Sequence, residues 1–246
     1  MKNVIGAVFI VIVFATVVSA GEFGPPEPTA APGKFSFGVG YWFDQSSMKL
    51  DSSHLLGTMT SKSNQYYLQG TYTFLKDWEV YGRFGGADQK LDSDARNFSD
   101  SAEPYGTLGF KGVAYQYKNF GIGPFVQGSW YGDHTGVMHN QWDLNLGISA
   151  QYKVPLGGCD LTVYGGPFAY VQQGDSNLHY HSLYQSYAAV GFPLPPASFQ
   201  DDIKEKNNFG GFLGVKFPIV RQKVFFTAEG QLTDKVSAGA SIAYAF

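Results

Sequence analysis

The sequence predicts an all-β fold: one transmembrane antiparallel up-and-down β-barrel of ten strands, with eight strands as the second choice. From Lys34 onward, apolar residues recur at every second position, which is the period of a strand with one apolar face. Long and short connections alternate between these segments, as in membrane barrels. Aromatic residues make up 17% of the chain and charged residues only 15%, against roughly 25% charged residues in soluble domains.

The predicted strands have the length of about 9–11 residues that a tilted membrane strand needs. Four of the five links that follow odd-numbered strands are long, whereas the links that follow even-numbered strands are short. Both ends of the barrel sequence then lie at the short-turn end, which requires an even number of strands. The count falls to eight if weak segments such as 34–44 or 105–117 are not strands. The ten predicted strands cover about 34–44, 64–74, 78–88, 105–117, 121–132, 141–154, 160–173, 208–217, 223–231 and 235–246.

Charged residues within the strands fall on the face opposite the apolar one, so we expect them in the lumen. A charge near the bilayer midplane would cost roughly 2–4 kcal/mol. The predicted lumen charges are Glu79, Arg83, Lys111, Asp143, Lys153, Lys216 and Glu229. Their mixed sign favours a hydrogen-bonded plug over a small selective pore, because narrow barrels are filled by side chains. Polar partners for such a plug are Tyr81, Tyr115, Gln127, Tyr164 and Gln231.

The N-terminal region divides into two parts. Residues 1–20 have a positive Lys2, an apolar run and a small-residue cleavage site ending at Ala20, which predicts a secretory signal. Residues 21–33 are Pro-rich and lack periodicity, so we expect a flexible periplasmic tail. The barrel domain then covers residues 34–246.

The chain ends on a strand whose outward face holds Ala238, Ala240, Ile242, Tyr244 and Phe246. This strand resembles the closing strand of small Gram-negative outer-membrane barrels, the OmpA-like or OmpX-like group, without an appended periplasmic domain. Strand parity alone fits a soluble β-sandwich as well as a barrel, and the secretory signal and the terminal Phe246 favour the barrel. The resemblance implies a protein embedded in the lipid bilayer of the cell outer membrane. It also implies that Tyr244 and Phe246 belong to the signal that the barrel-insertion machinery recognises.

The sequence offers no catalytic, cofactor-binding or metal-binding set that we can name. His134 follows Asp133 directly, and adjacent strand residues point to opposite faces. His179 and His181 could share a face, but two ligands are too few for a metal site. The lone Cys159 lies in a tight turn and has no internal disulfide partner. A net charge of −3 gives no indication of nucleic-acid binding.

Aromatic residues outside the barrel wall are candidates for recognition. The long segment 174–207 is expected either to bind a partner or to fold over the barrel mouth as a lid. Its candidates are Tyr180, Tyr184, Tyr187, Phe192 and Phe199. Aromatics near strand ends are expected to form interfacial girdles, and these are Tyr41, Trp42, Trp78, Trp130, Tyr131, Trp142 and Tyr244.

Three functional hypotheses follow. The first is a non-enzymatic barrel that serves envelope structure or surface recognition through its extracellular loops, with an unidentified ligand. The second is a narrow passive pore for small polar solutes or ions. The third and least favoured is a hydrolase or acyltransferase sited at the rim, in which His134 or His181 would be required.

Overall fold

The computed structural model shows a closed antiparallel barrel, and it describes residues 21–50, 58–92, 97–133, 139–176, 201–205, 208–220 and 223–246. Ten long strands form the wall, and two short strands, β5 and β9, pair beside it. The strands are β1 (Phe35–Leu50), β2 (Thr58–Leu75), β3 (Trp78–Asp92), β4 (Asn97–Gly112), β5 (Tyr115–Tyr117), β6 (Phe120–Tyr131), β7 (His139–Leu156), β8 (Cys159–Ser176), β9 (Asp201–Glu205), β10 (Phe209–Val220), β11 (Val224–Leu232) and β12 (Val236–Ala245).

Pairing between the first and last strands closes the barrel. β1 pairs with β12 from Ser36 opposite Ala245 to Phe43 opposite Ala238. β8 and β10 pair directly, so every long strand has two neighbours. Closure leaves no open sheet edge at membrane depth, where an unpaired main-chain group would be costly. The predicted ten-strand barrel is therefore confirmed.

Several strands are longer than the sequence predicted. β1 runs to Leu50 and β2 begins at Thr58, within the predicted loop 45–63. β3 and β4 likewise extend into the predicted loop 89–104. These extensions are polar on both faces and lack apolar alternation, and their inward side chains, such as Ser46, Ser61 and Gln89, are buried. Strands continue to pair in these extensions, but they lack the apolar residue at every second position that identifies a membrane-embedded strand in sequence.

The barrel is apolar outside and polar inside. Phe84, Leu68 and Leu213 are about two-thirds exposed, at 67%, 65% and 65%. Gln127 and Asn145 are fully buried at 0% exposure. A soluble sandwich would bury the apolar face instead, so this distribution is that of a transmembrane barrel.

Among the described residues, no helix is long and apolar enough to cross a membrane.

One wall segment departs from the prediction. The predicted strand 105–117 breaks after Gly112, and Gly112 and Val113 are buried in succession. Val113 donates its N–H to Asp77 O (2.8 Å), at the neighbouring turn. The irregularity shifts the face by one residue, which places Tyr115 outside at 58% exposure rather than in the lumen.

Two of the predicted girdle aromatics lie inside the barrel. Trp42 has 0% exposure. Tyr131 packs against the buried cluster to which Trp42 belongs. Trp42 follows outward-facing Tyr41 and is opposite Gly239, where a Cβ would approach its ring to 2.3 Å. The prediction failed because nearness to a strand end does not decide which face an aromatic occupies. Tyr41, Trp130, Trp142 and Tyr244 are exposed, and Trp78 is half-buried.

The predicted flexible tail at residues 21–33 is also wrong. Residues 21–26 and Ala30 are buried within the barrel, and residues 27–29 are half-buried. Only residues 31–33 of this stretch are exposed. Main-chain hydrogen bonds to wall side chains hold this Pro-rich stretch in place. Residues 21–33 lack periodicity because much of this stretch is bound inside the barrel by side chains from several strands, not because it is free in solution.

The apolar outer surface predicts a position-dependent response to charge. We expect Leu68→Arg to lower the free energy of unfolding by about 2–4 kcal/mol, because it places a charge against lipid near mid-membrane. Leu232→Arg is the matched control, since Leu232 is equally exposed (63%) but lies beside the β11–β12 turn. We expect a change of about 0–1 kcal/mol there. Denaturant titration of both variants in lipid vesicles measures the difference, and equal losses would contradict the assigned membrane position.

Candidate functional site

The candidate site is the lumen, which contains a segment of the chain itself. We call residues 21–30 the luminal segment. Gly33 donates its N–H to Thr73 O (2.7 Å), and Thr73 donates back to Lys34 O (3.1 Å). Gly33 has φ +73°, a left-handed conformation that favours glycine. This turn lies where β2 ends, so the luminal segment enters from the short-turn end, which is the periplasmic end in barrels of this kind.

Wall carboxylates and amides accept hydrogen bonds from the main chain of the luminal segment. Glu229 accepts from the N–H of Phe23 (3.0 Å) and of Gly24 (2.9 Å). Glu79 Oε2 accepts from the Thr29 N–H at 2.7 Å. These acceptors are 1% exposed, so each bond forms in a site shielded from bulk water.

Wall cations and amides donate to the carbonyl groups of the same segment. Lys111 Nζ donates to Phe23 O at 2.9 Å, and Arg83 donates to Glu22 O. Gly21 O accepts from Gln231 Nε2 at 3.2 Å and from Gln127 Nε2 at 3.4 Å. Wall side chains therefore satisfy the main chain without any strand pairing.

Phe23 occupies an apolar pocket in this otherwise polar lumen. Its ring centroid lies 4.3 Å from that of Phe125, 5.0 Å from Phe168 and 5.2 Å from Phe212. Tyr164 belongs to the same buried cluster. Rings in such tilted and edge-on arrangements stabilise one another beyond the area that they bury. The pocket fixes the position of the luminal segment along the barrel.

Glycines on neighbouring strands make room for the inward aromatic rings. Each of these rings lies across the glycine that faces it in the strand ladder. A Cβ at any of these glycines would fall 2.1–2.6 Å from the ring, so a larger residue would push the ring away from the wall. The pairs are Gly40–Tyr67, Gly109–Tyr81, Gly147–Phe125, Gly214–Tyr164, Gly210–Phe168 and Gly239–Trp42.

Six of the seven predicted lumen charges contact the luminal segment. Lys153 Nζ lies 2.5 Å from Glu27 Oε1, and Lys216 Nζ donates to Thr29 Oγ1 at 3.0 Å. The other four are the partners of the main chain named above. Lys111 also lies 3.3 Å from Glu79 Oε1 within the wall. Buried charges need such partners, because an unpaired one would retain its full desolvation cost.

The luminal segment adds carboxylates to a wall that has more cations than carboxylates. The wall around it contributes four cations and two carboxylates, and the segment contributes Glu22 and Glu27. Tyr67 donates its hydroxyl to Glu22 Oε2 at 3.2 Å. The Arg83 guanidinium also lies 4.9 Å from the Tyr67 ring centroid. The segment therefore supplies the negative charge that the wall lacks.

A second layer lies above the luminal segment, toward the long-loop end. It contains the seventh predicted charge, Asp143, which accepts from Tyr131 OH (2.8 Å) and from Asn145 Nδ2 (2.7 Å). Asp44 accepts from Ser237 Oγ at 2.7 Å on the opposite wall. The aromatic cluster of this layer consists of Trp42, Tyr67, Tyr105 and Tyr131, with Ala87. The lumen is therefore occupied at two levels.

The remaining predicted site residues lie at the ends of the barrel or outside the described part of the chain. Tyr180, Tyr184, Tyr187, Phe192 and Phe199 lie outside the described residues, as do His134, His179 and His181. His139 Nδ1 lies 3.8 Å from Asp133 Oδ1, which is exposed. Among the residues that the structure describes, no three His, Cys, Asp or Glu side chains form a metal-binding group.

The terminal strand places its aromatics on the outer surface. Tyr244 is 41% and Phe246 61% exposed, and their ring centroids lie 4.8 Å apart. Phe246 donates its N–H to Phe35 O at 3.1 Å, which ties the last residue to β1. The pair is thus available on the lipid-facing side of the closing seam.

Sequence reasoning missed the luminal segment, above all Glu22 and Phe23. Two signals could have indicated it. Strand parity places Phe125, Phe168 and Phe212 on the polar inner face. Three phenyl rings in the lumen indicate an apolar partner there rather than water. The predicted lumen set also holds four cations against three carboxylates.

Several solved β-barrel structures resemble this chain at low sequence identity. No family model matches the chain, and no curated protein matches it. OprG of Pseudomonas aeruginosa is 13% identical, covers 91% of this chain and 99% of its own, and gives a TM-score of 0.40. The NalP autotransporter translocator domain of Neisseria meningitidis is 10% identical, with coverage of 88% and 89% and a TM-score of 0.44. An outer-membrane channel of Pseudomonas putida F1 is 12% identical, with coverage of 93% and 100% and a TM-score of 0.40.

Similarity at this level carries no functional argument. The closed ladder, apolar outer surface and polar interior of the chain itself establish an outer-membrane β-barrel protein in a lipid bilayer.

The contacts of Glu229 predict how firmly the luminal segment is held. We expect Glu229→Leu to reduce the hydrogen-exchange protection of the Phe23 and Gly24 amides at least tenfold, because both lose a charged acceptor worth about 1.5–3 kcal/mol. Glu229→Gln is the control, since it keeps an acceptor oxygen and should lose less protection. Equal protection in the Leu variant and the parent protein would contradict the assigned contacts.

The aromatic pocket predicts that the luminal segment can be loosened without destabilising the barrel. We expect Phe23→Ala to lower the exchange protection of residues 21–24 while leaving the unfolding midpoint of the barrel nearly unchanged, because the strand ladder does not include Phe23. Phe125→Ala removes a wall partner of the same ring and should lower both. A large loss of barrel stability in Phe23→Ala would show that the wall depends on the segment.

Proposed function

We propose that the protein is a non-enzymatic outer-membrane barrel, closed at rest, that serves envelope structure or recognition at the cell surface. The observation that supports this proposal is the doubly occupied lumen. The luminal segment fills the periplasmic half, and the aromatic and carboxylate layer around Trp42 and Asp143 lies above it. Neither layer leaves a wide water-filled path of the kind found in much larger barrels.

The extracellular hairpins supply the surface that such a protein would use. Lys62 Nζ lies 2.5 Å from Asp92 Oδ2, which joins the β1–β2 hairpin to the β3–β4 hairpin. Asn64 donates its main-chain N–H to Asp88 Oδ1 at 2.6 Å, lower on the same seam. These strands form a rigid base for the loops between them, and loops on a rigid base are frequent binding sites. The aromatic candidates predicted within segment 174–207 belong to this proposed surface.

A narrow passive pore is the second candidate. A small polar cavity lies between the luminal segment and the wall, lined in part by Gln69, Arg83, Lys216, Thr227 and Ser241. Small solutes or ions that pass the barrel would use this cavity, and passage would need the upper layer to move. A rim-sited hydrolase or acyltransferase, which would require His134 or His181, is the third candidate.

We also infer two steps of biogenesis from the sequence. Residues 1–20 act as a secretory signal, and Tyr244 with Phe246 forms part of the signal for the barrel-insertion machinery. Exposure of both aromatics on the outer surface is compatible with the second inference.

Conductance in a planar bilayer tests the closed state. We expect the refolded protein beginning at Gly21 to give no steady current, because both layers of the lumen are occupied. Heat-modifiable migration on a gel must first show that the barrel is folded. A stable, salt-dependent current would favour the pore instead, and Arg83→Glu should then shift its ion preference, since Arg83 lines the cavity.

A further inference from the structure

We propose that the barrel lumen is a peptide-binding site whose resident ligand is the luminal segment, and that a separate peptide of the same chemistry can replace it. That chemistry is an extended, acidic, Pro-rich chain with an aromatic side chain near its N-terminal end. This proposal goes beyond a closed barrel, because it assigns a ligand class to the wall groups that close it.

The luminal segment is held as a ligand rather than as part of the sheet. Residues 21–34 contain no strand, and the ladder closes between β1 and β12 without them. The contacts of residues 21–30 described above are side-chain hydrogen bonds, ion pairs and ring packing. An exposed stretch at residues 31–34 connects the segment to β1. Release of the segment would therefore leave every strand pair in place.

The wall is built to recognise a peptide main chain. Glu229 and Glu79 accept peptide N–H groups, while Arg83 and Lys111 donate to peptide carbonyls. All four side chains are at most 6% exposed. Buried polar groups left without partners are costly, so the vacated wall would favour a ligand that supplies the same groups.

Side-chain contacts add selectivity to this main-chain recognition. Phe23 fills a pocket of three phenyl rings, so a peptide with an aromatic residue at that position should bind more tightly. Glu27 contacts Lys153 at 2.5 Å, and Glu22 accepts from Tyr67. The two carboxylates offset the excess of cations on the surrounding wall. A neutral or basic peptide would leave that excess uncompensated.

Backbone geometry adds a second level of selectivity. Gly24 has φ +75°, and a Cβ there would lie 2.5 Å from Lys111 Nζ. Only glycine meets both conditions without displacing the lysine. The neighbouring Pro25 and Pro26 restrict the free peptide to extended forms, which reduces the entropy lost on binding.

The tether explains why the site is occupied in the intact chain. A ligand on a short linker experiences an effective concentration in the millimolar range, so a free peptide competes poorly with it. The linker is exposed at the periplasmic end, where an incoming peptide would also enter. Cutting the linker after folding converts the resident ligand into an exchangeable one.

The experiment uses the refolded protein beginning at Gly21, with a site-specific protease sequence inserted between Ala31 and Pro32. The folded barrel is cut in detergent, and mass spectrometry follows the freed fragment. A synthetic peptide of residues 21–33, with a dye at its C-terminal end, is then added, and its anisotropy is measured. Peptides carrying Phe23→Ala or Gly24→Ala are the matched controls, and the uncut barrel shows background binding.

We expect saturable binding to the cut barrel, competition by unlabelled peptide and little binding to the uncut barrel. Both control peptides should bind at least tenfold more weakly. A fragment that stays bound after cutting and exchanges slowly with labelled peptide would support the proposal equally. A folded barrel that has lost its fragment and does not bind the peptide would overturn it, as would equal affinity for the Phe23→Ala peptide.

These outcomes are distinct from those of the conductance test. A steady current through the uncut protein would contradict closure at rest but not peptide binding. Failure of the peptide to bind would leave the closed barrel intact.

Discussion

Main-chain hydrogen bonding in lipid is the constraint on which the rest of this structure depends. No main-chain group at membrane depth can bond to water, so the wall must close into a complete ladder. Closure gives every strand one face toward lipid and one toward a narrow interior. Apolar side chains then occupy the outer face, and the polar side chains are concentrated where little water can reach them. Closing the ladder therefore leaves polar side chains in the interior that also need hydrogen-bond and charge partners.

The luminal segment supplies these partners. Without it, the four cations of the surrounding wall would face only Glu79 and Glu229 across a shielded space. The segment brings carbonyls to the cations, N–H groups to the carboxylates and two further carboxylates to the wall. Phe23 fills the pocket formed by Phe125, Phe168 and Phe212. A single stretch of ten residues thus meets the polar, ionic and apolar demands of the interior together.

The predictable parts of this protein are those governed by strand period. Alternation placed Glu79, Asp143 and Lys216 on the inner face, since a charge in lipid is excluded. Where the ladder is irregular, as at Gly112 and Val113, parity changes and Tyr115 was assigned to the wrong side. The luminal segment has no period, because its partners are side chains on several strands. A bound Pro-rich chain and a free one look alike in sequence. The inward phenyl groups of the wall and its excess of cations are the features that distinguish them.

The pairs of glycine and aromatic residues have a consequence for barrel size. Strand number sets the distance between opposite backbones, but the usable bore depends on how far inward the side chains project. At Gly109 and Gly147 the wall accepts a ring lying flat, so Tyr81 and Phe125 take little of the central space. Two barrels with ten strands can therefore differ in bore by the thickness of a ring on each side. Internal capacity becomes a property of cross-strand residue pairs, adjustable one glycine at a time without any change in topology.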